Sequence, residues 1–272
     1  MIRQKCHAGN SVASWRKTEI SNLVRLAPEN GVSGVMMIFS KLKSMFGKSA
    51  VHESLPGSPV AASNAASGKA AKKTSQPKAV FNIQGAEGNI ISGAPKQVRG
   101  VSRVEFAGQN NRLIFGKNVT LDKCLIVFTD DNGSIEIGNN VLLRGEIRVT
   151  RECRISIGND TKCNKPCRVH AANRTSILIG SHCLLANVSL RSSDAHSIID
   201  LKSGEKQKKS ADIIVGDRVW IAENVSIYKG SIIGNGSIVG GGSIVTKQFP
   251  ENVLIAGVPA AVVKTDVTWS EV

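Results

Sequence analysis

The chain has 272 residues, enough for one large domain or for one domain with a substantial tail. Its formal net charge of +14 is concentrated at one end: residues 1–80 hold 12 Lys/Arg against three acidic residues, and the rest hold 23 against 18. A basic tail on a nearly balanced domain is not the footprint of a nucleic-acid-reading face, and no run approaches the about 18 apolar residues of a membrane span; a cytoplasmic protein with no nucleic-acid partner is expected.

Residues 1–35 carry no clear pattern. The stretch MMIFSKLKSMFGK, 36–48, places Ile38, Leu42 and Met45/Phe46 at helical spacing with Lys41, Lys43 and Lys48 interleaved. This predicts a short amphipathic helix that either makes weak contact with an anionic membrane surface or frays without a partner. Residues 47–79 lack aromatics and are rich in Ala, Ser, Pro, Gly and Lys. Such a segment buries too little apolar surface to offset its ordering entropy, so 1–80 reads as a low-complexity tail and linker. The folded domain is expected over 81–272.

From about residue 105 a new rhythm begins. Val215, Ile221, Ile227, Ile233, Val239 and Val245 fall six apart, and Phe115/Leu121/Val127, Ile137/Leu143/Val149, Ile157/Cys163/Val169 and Ile179/Leu185 obey the same spacing in groups. A period of six fits neither the helix nor the strand template. It is an internal repeat, and repeats of this kind stack supersecondary units that bury their apolar sides only against neighbours. Three sixes make an 18-residue coil with three flat sides and three corners. Each aliphatic beat points inward, and the small residue after it, often Gly, turns the corner. A further irregular coil is expected within 81–110.

Six cysteines (6, 124, 153, 163, 167 and 183) have no framework spacing. Cys163-x3-Cys167 lacks a second pair, so the thiols read as reduced small hydrophobes rather than metal ligands. His170 and His182 lie off the beats and do not pair with His196 at a metal-binding spacing, so no metal is expected.

The rhythm breaks after Leu185. Position 191 should be a beat but is Arg191, and the next certain beat is Val215. The segment 192–214 therefore reads as a loop leaving a rigid scaffold, the usual place for chemistry. Within it, only His196 titrates unperturbed near neutral pH, which suits a general base. Asp194 or Asp200 would orient its ring, as the third member of a triad does. Trp220 precedes the inward Ile221 and so points outward, asking for cover by another subunit, a cofactor or a sugar face.

The segments SSDAHSIID and IIVGDRVWIAENVSIYKGSIIGNGSIVGGGSIVTKQFPENVLIAGVPAAVVK resemble the hexapeptide-repeat O-acetyltransferases that modify bacterial capsules and other surface polysaccharides, polysialic acid among them. The resemblance covers 185–268 well and 110–184 only as generic repeat. It implies an all-β left-handed parallel β-helix, a homotrimer with active sites between subunits, and acetyl transfer from acetyl-CoA to a polysaccharide hydroxyl. It also assigns His196 as base and Trp220 to the same pocket. Thr246 and Lys247 match the segment that contacts the nucleotide end of CoA, and Gly240, Gly241 and Gly242 leave room for the pantetheine arm. Ala222 stands where the family usually has glycine, and Glu223-Asn224 replaces its usual turn residues. No serine or cysteine sits in a nucleophile motif, which favours direct transfer. Two alternatives remain at this level: an acetyltransferase for a small acceptor such as a sugar, amino sugar or serine, and a non-catalytic repeat scaffold.

Overall fold

Each aliphatic beat on two of the three flat sides is one rung of a continuous inner ladder. The computed structural model describes residues 79–271; the tail, the linker up to residue 78 and the amphipathic stretch at 36–48 lie outside the described residues. All the regular elements described are strands, stacked in parallel until the last one. Three faces result. Face A includes Lys162–Cys163, Leu184–Leu185, Trp220–Ile221, Ile238–Val239 and Val253–Gly257. Face B includes Cys167–Ala171, Ser189–Arg191, Ser226–Tyr228 and Ile244–Val245. Face C is an eight-stranded sheet running from Ile90–Ser92 to Gln248–Phe249. Faces A and B are joined because Thr120–Phe128 and Leu142–Val149 continue around the corner between them. The coil expected within 81–110 is present: Val80–Gln84 and Val101–Phe106 pair in parallel one coil apart.

The inner column of face A is Leu121, Leu143, Cys163, Leu185, Ile221, Val239 and Ile255, all buried and in register. Face C supplies Phe115, Ile137, Ile157, Ile179, Val215, Ile233 and Phe249 in the same way. Apolar burial of this kind supplies most of the driving force, and each coil depends on its neighbours for it. Between the beats, Ser231, Ser237 and Ser243 are fully buried and donate to the carbonyls of Val245, Pro250 and Gly240. Their burial is tolerable because each hydroxyl is bonded.

Face B keeps the six-residue spacing at Val169, Ile227 and Val245 and departs from it at Val127 and Arg191. Its inner column is Ile126, Ile147, Val169, Leu190, Ile227 and Val245. Val127 is not a beat: it pairs with the outward Arg148, while Ile126 and Phe128 point in. The cause is an extra residue at the preceding corner, where Lys123 takes a left-handed φ of 50° and the register shifts between Asp122 and Cys124. Val149 belongs to a second inner column with Phe128 and Ala171. Nor does the repeat fail at Arg191. Leu190, fully buried, takes the rung one residue early, and Arg191 faces outward between His170 and Tyr228.

The corner glycines also act differently from their expected role. Gly116, Gly138, Gly158, Gly180, Gly216 and Gly234 lack a positive φ; instead, a Cβ on any of them would lie within 2.9 Å of the next coil. They permit close stacking. The left-handed turn comes two residues later, at Asn118, Asn140, Asp160, His182, Arg218, Gly236 and Asn252. Side-chain oxygens of Asn139, Asn159, Ser181, Asp217 and Asn235 accept from backbone N–H groups one coil away, which satisfies this corner along most of its length. His182 is therefore a corner residue.

Candidate active site

The loop leaves face B immediately after Arg191 and rejoins face C at Ile213, so the excursion is 192–212, slightly shorter than 192–214. Its root is fixed from inside. Ser192 is fully buried, accepts from the N–H of Ala172 at 3.0 Å and from the Thr175 hydroxyl at 2.6 Å, and its carbonyl accepts from Ala211. Ser193 and Ser210 form an antiparallel bridge, as do Ile199 and Lys206 further out. The loop is thus a two-legged arm: the bonds from Asp194 N–H to Lys209, Gln207 to Ile198 and Asp200 to Glu205 belong to these bridges, and Gly204 to Asp200 closes the tip.

His196 sits on the outgoing leg, just after the left-handed Ala195 (φ 65°). Its ring is exposed, and among the described residues no side chain hydrogen-bonds it. Neither candidate aspartate orients it within one chain. The Asp194 carboxylate pairs with Lys229, which also donates to the Lys208 carbonyl at 2.7 Å. Lys229 thereby ties the loop to the next coil. Asp200 instead closes the tip turn, accepting from Lys202 N–H at 2.9 Å and Ser203 N–H at 2.8 Å; bonds from Ser203, then Lys202, hold its carboxyl below the usual range.

Trp220 begins a face A strand and is 38% exposed, outward as its alternation with Ile221 requires. The loop that carries His196 springs from the B/C corner, which is opposite face A in a three-sided coil. One chain does not bring the two residues together. The glycine run is likewise separated from its expected companions. Gly240–Gly242 turn the A/B corner, whereas Thr246 and Lys247 lie exposed at the B/C corner, two coils beyond the loop. Gly242 takes the left-handed position (φ 71°) that Asn224 (φ 62°) and Asn187 (φ 51°) take in the coils before it. Glu223-Asn224 therefore forms an ordinary A/B turn. Among the described residues, no atom beyond its chain neighbours lies within 4 Å of a Cβ on Gly242, so this corner is open at Gly242.

Two features carried no sequence signal. Trp269, near the end of the chain, lies beside Trp220 with ring centroids 6.3 Å apart. A groove beside the loop on the B/C side is lined by Arg148, Arg151, His170, Arg174, Arg191 and Lys209. Arg148, Arg151 and Arg174 are paired with Glu146, Asp130 and Glu152; Arg191 and Lys209 have no carboxylate partner among the described residues. Pairing through long-range strand register, rather than any local motif, assembles this row.

A parallel three-faced β-helix with one long, histidine-bearing excursion is the architecture of a hexapeptide-repeat acyltransferase. The bacterial transferase hexapeptide family (six repeats) matches residues 212–247. The chain is 34% identical over 145 residues to the putative lipopolysaccharide biosynthesis O-acetyl transferase WbbJ of Escherichia coli (strain K12), covering 49% of this chain and 73% of that protein. It is 30% identical over 153 residues to the polysialic acid O-acetyltransferase of Neisseria meningitidis, 56% of this chain and 70% of that one. To the polysialic acid O-acetyltransferase of Escherichia coli O1:K1 / APEC it is 38% identical over 137 residues, 50% of this chain but only 44% of that protein's length. The crystal structure of the polySia specific acetyltransferase NeuO matches with a TM-score of 0.65 at 33% identity, over 71% of this chain and 88% of that one. That of the polysialic acid O-acetyltransferase OatWY matches with a TM-score of 0.66 at 29% identity, over 71% and 92%. The chain belongs to the hexapeptide-repeat O-acetyltransferases, and its prism is the left-handed parallel β-helix of that family. Among the described residues, no helix is long and apolar enough to cross a membrane.

Proposed function

We propose that this chain transfers an acetyl group from acetyl-CoA to a hydroxyl of a bacterial surface polysaccharide, with His196 as general base. The observation that carries this reading is an exposed imidazole, free of protein partners among the described residues, on a pinned loop of a chain whose relatives are polysaccharide O-acetyltransferases. His196 removes the acceptor proton as the hydroxyl oxygen attacks the thioester carbonyl. The same proton then passes from the imidazole to the departing thiolate sulfur. Backbone N–H groups at a coil corner are the oxyanion donors we favour. The donor fits the Gly240–Gly242 corner, open at Gly242, with Thr246 and Lys247 toward its phosphates; Lys247 offers a point charge.

Because His196 and Trp220 lie on opposite sides of one prism, we place the site between copies, as in a homotrimer. Asp194 contributes by fixing the loop through Lys229. The cationic groove beside the loop supports a long, acidic acceptor over a small neutral one, since unpaired Arg191 and Lys209 offer charge along a track rather than at a point. A scaffold without catalysis needs neither the groove nor the exposed histidine. We place the reaction in the cytoplasm, at most peripheral to the membrane through the tail.

Thioester consumption with polymer, monosaccharide and serine acceptors tests the reading. Acetyl transfer to polymer is expected, and loss of the general base in His196→Asn is expected to cost about 10²–10⁴-fold in kcat. Turnover of that variant within about threefold of wild type across pH 6–8 would exclude His196 as base.

A further inference from the structure

The last strand, Ala260–Thr265, turns back and pairs antiparallel with Val253–Gly257. The residues after it then climb the C/A corner against the direction of the coils. Val267 N–H donates to the Asn252 carbonyl at 3.0 Å, the Trp269 indole N–H to the Arg218 carbonyl at 2.6 Å, and Glu271 reaches Lys162 at 2.7 Å. The Lys162–Glu271 pair is roughly half exposed and so contributes little to holding this strap. Trp269 is different. It is partly buried, its only polar atom is satisfied by backbone, and its ring lies 6.3 Å from Trp220 at 47°, within the separation at which aromatic pairs attract.

Both contacts fall on one short segment. Arg218 holds the left-handed corner position (φ 53°), two residues before Trp220. Trp269 therefore grips the backbone that launches Trp220 and lies tilted beside Trp220's own ring. In its own face Trp220 stands in register between Leu184 and Ile238, and Trp269 adds an aromatic ring from outside that face. Beyond the pair, a cavity opens between Trp269, His182, Arg218 and Lys162.

We infer that Trp269 is a positioning residue: it sets the orientation of the Trp220 indole, and the two rings form one wall of the substrate pocket. This rests on the reading of Trp220 as a pocket residue. It predicts that removing Trp269 weakens ligand binding through Trp220 and leaves the chemical step largely intact.

The test compares wild type, Trp269→Ala, Trp269→Phe, Trp220→Ala and the Trp220→Ala/Trp269→Ala double variant, all in the full chain. Circular dichroism should show a coupled-indole signal that either single alanine variant abolishes. Trp269→Ala should raise KM for polymer or donor by about three- to tenfold with kcat within about threefold, and Trp269→Phe should recover most of the loss. In the Trp220→Ala background, Trp269→Ala should add less than about twofold. A loss of equal size in both backgrounds, or an unchanged KM once the coupled signal is gone, overturns the inference. Should Trp269→Ala not fold, Trp269→Leu serves in the same comparison. Dissociation constants for CoA and for a polysialic acid oligomer are measured in parallel. If wild type acetylates no acceptor, the proposed reaction fails while these constants still decide the role of Trp269; binding of neither probe overturns the inference.

Discussion

His170 stands in the outward row of face B between Arg148 and Arg191, with Glu146 at 3.3 Å from its Nε2. Burial, ahead of the positive charges of Arg148, Arg191 and Arg168, lowers its pKa below the usual 6.5, against the pull of Glu146. Its Nε2 is buried and makes no hydrogen bond of good geometry among the described residues. In the unfolded chain the imidazole takes its proton at higher pH than in the fold, so this residue makes stability fall as pH drops below 6.5 toward the lowered value. Thermal melts at pH 5 and pH 8 are expected to differ more for wild type than for His170→Gln. Equal pH sensitivity would show that the imidazole takes its proton at the same pH in the fold as in the unfolded chain. The buried thiols are the counterpart on the inside: burial pushes Cys124 and Cys183 up to about 12, in keeping with cysteines that serve as small hydrophobes.

At the scale of the coil, the glycine after each face C beat from Phe115 to Ile233 is held by contact rather than by dihedral. A Cβ on Gly158 would meet the Gly180 carbonyl carbon and the Ser181 N–H nitrogen at 2.5 Å each. Neither is the end of a flexible side chain, so two coils must move apart. Gly158→Ala is expected to destabilise the domain by about 1–3 kcal/mol, as overpacked cores do, measured by urea unfolding at constant m-value. A loss below about 0.5 kcal/mol would mean that the coils separate freely there. The same scale explains what was legible. Each face A beat falls six residues after a face C beat because the corner between them keeps a constant residue count in every coil, whereas the corner into face C varies and carries the long excursion. Face B obeys the rule at Val149, Val169, Ile227 and Val245, all buried, and misses it at Val127, because the corner before that strand absorbs an extra residue at Lys123. The excess moves the inward rung from Val127 to Ile126 and Phe128. A rung arriving one residue early likewise makes Leu190, not Arg191, the beat.

At the scale of the molecule, the site is divided. If His196 of one copy faces Trp220 of another, two inactive proteins can complement each other. His196→Ala and Trp220→Ala chains, unfolded, mixed and refolded together, are expected to regain about a quarter of the activity of a trimer with intact sites. Each variant refolded alone should regain almost none. No recovery in mixed assemblies of confirmed stoichiometry would place the two residues in separate sites or in one chain's site.

The sequence by itself determined the coiled prism, the inward residues of faces A and C with most of those of face B, and the excursion with His196, because one aliphatic residue per flat side is a local requirement written at a fixed interval. It also carried the family through the segment 185–268. Tertiary structure alone decided the rest. Asp194 could be read as a partner of His196 from their spacing, yet it pairs with Lys229, which is adjacent only because one coil stacks on the next. The cationic row of Arg148, His170 and Arg191 exists because strands about 20 residues apart align in register. Trp269 reaches Trp220 because the chain reverses after Gly257 and runs back along a corner. A repeat fixes what each residue does within its own coil; which coils and corners meet depends on where every inserted residue shifts the winding.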